Sequence, residues 1–167
     1  MTKPVIWGTV FALIAGILQS TLLSRLAVYH AVPDLALGVL VFCAYVNGTM
    51  TGQLTGFFSG ILLDFLSAAP LGLNAFIRTL IGAAGGRMNG TFFLDGVFLP
   101  MALCAAATAI KAILYFILNL LFSKAVPAYS LAGPVLWVEL LLNTLTAPFL
   151  FGLLKLFKTL LIGRRET

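Results

Sequence analysis

The chain has 167 residues, 61% hydrophobic and 9% charged, with a formal net charge of +5 and a mean hydropathy of +1.10. A water-soluble domain carries about a quarter charged residues, so this composition excludes one and points to an integral membrane protein. At about 20 residues per span, six spans use most of the length. The expected fold is all-α: a single membrane domain built as a six-transmembrane-helix bundle.

The first span covers 4–24 and follows Lys3. A positive start before an apolar run also suits a signal peptide. The run is longer than a typical h-region and no A-x-A cleavage site follows it, so a retained helix is expected. A short loop then carries His30, the only histidine. Pro33-Asp34 opens the second span, 34–47, with Asp34 in the N-cap position.

The third span, 51–66, follows one rule. Gly48, Gly52, Gly56 and Gly60 recur every fourth residue, and the next step lands on Asp64. Residues four apart share a helix face, so the glycines form a ridge without side chains. Such a row weakens a helix in water, but in lipid it lets a second backbone approach closely. Sequence leaves open whether that backbone is internal or a partner's; for Gly56 and Gly60 internal packing is expected, because Asp64 on the same row needs burial.

Ser67 to Asn74 is a small-residue turn holding Pro70 and Gly72. The fourth span is 74–86 and carries Arg78; the fifth is 97–122 and carries Lys111; the sixth is 134–161, with Glu139 near its start and a kink expected at Pro148. With both termini cytoplasmic, Lys3, Arg87, Lys155, Lys158, Arg164 and Arg165 fall inside. Only Arg25 and Lys124 fall outside, the asymmetry that the positive-inside rule requires. The net positive charge therefore reads as membrane orientation, with unspecific attraction of anionic membrane lipids a further use of the cluster Lys155, Lys158, Arg164 and Arg165, and gives no reason to expect a nucleic-acid partner.

Asp64, Arg78, Lys111 and Glu139 all fall in the outer half of this arrangement. Charges within apolar helices face the bundle interior and pair, so ionic pairing is expected among them, with Asp64–Arg78 the leading couple. A substrate or ion site is the competing use. Cys43 and Cys104 lie in apolar runs and read as small buried residues. Ser59 has no histidine on a neighbouring helix to activate it, and metal-ligand spacings and nucleotide-binding loops are missing. No catalytic residue, metal or cofactor is expected.

Three blocks together carry a resemblance: Pro33-Asp34-Leu35, then Gly52-x-x-x-Gly56-Phe57-x-x-Gly60-Ile61-Leu62-x-Asp64, then Pro70-Leu71-Gly72-Leu73-Asn74-Ala75. They resemble the rod shape-determining MreD family. The resemblance implies a multi-pass bacterial inner-membrane protein of the elongation machinery, or elongasome. Its implied role is non-enzymatic: it binds the bitopic protein MreC and scaffolds or regulates lateral peptidoglycan synthesis. Through MreC it would reach MreB filaments, RodA and its penicillin-binding transpeptidase. The family is also similar in fold to the six-helix substrate-binding components of energy-coupling-factor vitamin transporters, which supplies the rival function. A lipid-handling role is a third.

Overall fold

The computed structural model describes residues 2–23, 31–67, 69–90, 96–123, 126 and 133–163. His30, Arg25, Lys124, Arg164 and Arg165 lie outside the described residues. Seven helices are described: α1 (Thr2–Thr21), α2 (Leu35–Asn47), α3 (Thr49–Leu66), α4 (Leu73–Arg87), α5 (Phe98–Leu121), α6 (Pro134–Leu156) and α7 (Lys158–Leu161). Three of them, α1, α5 and α6, are long and apolar enough to cross a membrane.

The core is α2. Every residue from Ala36 to Tyr45 is buried, so this short helix is enclosed on all sides. A helix that is apolar all round belongs in a core or in a membrane, and α2 takes the core. Its N-terminus is capped as expected, with the Asp34 side chain accepting from the Leu37 amide at 2.9 Å. Around α2 stand α1, α3, α4, α5 and α6, and α7 closes one end.

The glycine row is used inside the fold. A Cβ at Gly52 would strike the carbonyl oxygen of Gly82, one at Gly56 that of Arg78, and one at Gly60 the Ala75 backbone. The row thus lets α3 and α4 meet backbone to backbone, as expected for small residues between apolar helices. The α4 side has its own row, Gly82 and Gly86, of which Gly86 abuts Thr49 and Gly48. Gly48 itself departs from the expected ridge. It stands between α2 and α3 with φ of 90°, so it serves the turn, where a side chain would be strained. Gly72, with φ of 93°, does the same ahead of α4.

The sixth helix also differs from expectation. It stops at Leu156, five residues before the expected limit of 161, with Pro148 inside it as expected. After Phe157 the chain forms α7, and Leu161 is buried against the bundle. The cause is Asn47 at the end of α2. Its side chain donates to the Leu161 carbonyl at 2.8 Å and accepts from the Gly163 amide at 2.7 Å.

These contacts fix two ends of the molecule. One gathers the start of α1, the α2–α3 turn, the end of α4 and α7. The other gathers Asp34, the end of α3, the start of α4, Lys111 of α5 and Glu139 of α6.

Candidate functional site: a buried charge cluster at the start of α2

Asp34 is the hub. Arg78 on α4 donates through Nη2 to both carboxylate oxygens, at 2.8 and 3.1 Å. Lys111 on α5 donates to Oδ2 at 2.8 Å and, with the same ammonium, to Glu139 Oε1 on α6 at 2.6 Å. The backbone amide of Asp34 donates to Asn143 Oδ1 on α6 at 2.6 Å. Asn143 in turn donates to the Thr108 hydroxyl at 2.9 Å, and that hydroxyl donates to the Cys104 carbonyl at 2.8 Å. Four helices therefore meet in one network of two acids and two bases.

This balance decides how the cluster can exist. A single buried charge costs several kcal/mol, and only close pairing with further hydrogen bonds offsets that. Asp34, Arg78 and Glu139 are all buried, and the summed formal charge is zero. One atom is left over: Arg78 Nη1 is buried with no partner among the described residues. A cavity of about 10 Å³ lies beside the network, lined by Asp34, Thr108, Asn143 and Thr146 among others; that is space for one water molecule at most.

The expected Asp64–Arg78 pair does not form. Asp64 is buried at the end of α3, but it accepts from the amides of Gly72, Asn74 and Ala75 at 2.9, 3.0 and 3.3 Å, and from the Asn74 side chain at 2.9 Å. The first turn of a helix has amides without helical partners, and an anion placed over them satisfies them. The reason Arg78 is out of reach lies in the glycine packing. Its backbone lies against Gly56, eight residues and about 12 Å of helix below Asp64. At that depth its side chain turns to α2 instead.

Sequence reading put Asp34 in a motif and a cap but missed it as an ion-pair centre. It also missed Asn143, Thr108 and Tyr115, whose hydroxyl donates to Asn74 Oδ1 at 3.2 Å. A usable signal was present. Asn74 precedes Arg78 by four residues, Tyr115 follows Lys111 by four, and Asn143 follows Glu139 by four. Polar residues at that spacing share a face with the charge.

The second and third sequence blocks thus meet in space, and the first has other partners. Pro33-Asp34 leads into the hub, and Asp64 ties the glycine helix to the Pro70–Ala75 turn. Over that same arrangement, residues 2–157 match the family described as rod shape-determining protein MreD. The chain belongs to the MreD family. The match takes in α1 through α6, including the last third, where no motif is legible. No curated protein and no solved structure matches the chain. MreD membership makes this a bacterial membrane protein with a role in rod shape determination.

Proposed function

We propose that this MreD family member is a six-span, non-enzymatic scaffold of the elongation machinery that binds the bitopic protein MreC, with both termini in the cytoplasm. In this arrangement α1 to α6 each cross the bilayer. Trp7 and Trp137 are both exposed, one near each end of the molecule, as suits two membrane–water interfaces. The short, enclosed α2 crosses where protein and not lipid surrounds it.

The observation that carries the scaffold reading is how fully the charges are occupied by one another. Asp34, Lys111 and Glu139 form ion pairs among α2, α4, α5 and α6, and Asp64 is taken up by backbone amides. Groups used in this way brace helices and are not poised for substrate. The glycine row is likewise occupied by α4. The partner's helix must then use an exposed apolar face. One such face is the groove of about 320 Å³ between α3 and α4, lined by Phe57, Ile61, Phe76 and Leu80 among others.

A second reading, the substrate-binding component of a vitamin transporter, is favoured by one observation: the unpartnered Nη1 of Arg78. Mild-detergent purification of the tagged protein from native membranes, with mass spectrometry of what co-purifies, separates the two. Recovery of MreC with cell-wall synthases supports the scaffold. Recovery of paired ATPases with a transmembrane coupling subunit overturns it.

A further inference from the structure

Every acidic residue described lies at the end where α2 starts: Asp34 and Glu139 in the ion-pair cluster and Asp64 in its cradle of amides. The opposite end is different in kind. Lys3 and Lys158 are exposed there, with no described acidic residue near them.

Their position is set by contacts and not by a loose tail. Asn47 holds Leu161 and Gly163 at 2.8 and 2.7 Å, and Gly163 lies against Pro4, the residue after Lys3. The ring of Phe157, next to Lys158, stands 5.2 Å from that of Phe11. Phe11 stands 6.5 Å from Trp7, which lies four residues from Lys3 and so on the same helix face. Trp7 and Phe157 are more than a third exposed. Two cations therefore flank an open aromatic wall, at the end of helices long and apolar enough to span a bilayer.

We propose that this corner between α1 and α7 is a binding site for an anionic phospholipid, its phosphate held by Lys3 and Lys158 and an acyl chain lying along Trp7, Phe11 and Phe157. The inference rests on the transmembrane reading above. Charge complementarity selects the lipid: uncompensated cations at a membrane surface attract anionic headgroups, and amphipathic aromatic rings favour the same depth. Asn47 helps to build the site, because its two bonds tie the end of α7 to α2.

Native mass spectrometry of the full-length protein, released from micelles containing equal phosphatidylglycerol and phosphatidylcholine, tests this. The wild-type protein should retain phosphatidylglycerol preferentially. The double variant Lys3→Gln/Lys158→Gln should lose about 25-fold of that preference, at roughly fivefold per lysine, with unchanged thermal unfolding because both side chains are exposed. Asn47→Leu, which keeps every cation but unties the end of α7, should lose it as well. Equal retention of both lipids by the wild type, or undiminished preference in the lysine variant, would overturn the site. Undiminished preference in N47L would overturn the clamp as its builder. Failure of the transmembrane reading is distinguishable, since the protein would then extract from membranes without detergent.

Discussion

Arg78 and Asp34 are 44 residues apart in the chain, yet one guanidinium nitrogen reaches both oxygens of the carboxylate, at 2.8 and 3.1 Å. This pair joins α4 to the enclosed helix α2, and Lys111 extends it to α5 and α6.

Removing the hub should therefore be severe. Asp34→Ala deletes the cap of α2 and leaves Arg78 and Lys111 facing a single remaining acid. Breaking a buried pair in this way costs about 3–5 kcal/mol. Thermal unfolding followed by size-exclusion of the detergent-solubilised protein should show a large drop in midpoint or no monodisperse protein at all.

The same geometry predicts which rescue fails. Arg78→Glu sets a second acid against Asp34 and should be strongly destabilising. Adding Asp64→Arg should make matters worse, because Asp64 serves the amides of α4 and not Arg78. Recovery of stability in R78E/D64R would refute this assignment.

Asp64→Asn tests the amide cradle. All four of the donors around Asp64 point N–H groups at it, and an amide NH₂ in place of one oxygen faces them as a donor. The cost expected is roughly 1–3 kcal/mol, that of stranding buried groups. Asn74→Ala should cost less, since the backbone amides keep their acceptor. The order of the two unfolding midpoints decides the point.

Two glycine substitutions should separate packing from propensity. Gly56→Ala drives a methyl into the Arg78 backbone, and overpacking of this kind costs roughly 1–3 kcal/mol. Gly152→Ala on α6 meets nothing within 4 Å and should be neutral or slightly stabilising by comparison. Cell-shape complementation should follow the same order, lost first in G56A.

Asn143→Leu strands the Asp34 amide and removes the bond to Thr108. A loss of about 1–3 kcal/mol is expected. Thr108→Val should be milder, as Asn143 then keeps its bond to Asp34. A double-mutant cycle between positions 108 and 143 should show coupling, because the two residues share one hydrogen bond.

Periodicity and composition made the helices legible: the expected segments overlap α1 to α6, the sixth of them running five residues past the end of α6. The cap at Asp34 and the internal use of Gly56 and Gly60 were readable because both depend on local spacing. The pairing of charges was not. Asp64 and Arg78 look adjacent when helix lengths alone are counted, but the depth at which α3 meets α4 is set by which glycine lies against which carbonyl. Nor could spacing reveal that Asn47 draws the chain end back into α7, since the residues it joins are separated by 114 and 116 positions.

The two buried aspartates differ in when they can be satisfied during synthesis. The amide partners of Asp64 lie 8 to 11 residues downstream, so its cradle closes as soon as the turn after α3 has emerged. Asp34 acquires Arg78 after 44 residues, Lys111 after 77, and the Asn143 acceptor for its amide only after 109. A nascent chain that has made four helices thus holds a self-contained α3–α4 hairpin beside an α2 whose polar end is still incomplete. The last two helices finish it. Their arrival is recorded at one residue: Lys111 of α5 pairs with the Asp34 carboxylate and Asn143 of α6 accepts from its amide, so Asp34 is fully partnered only in the complete bundle.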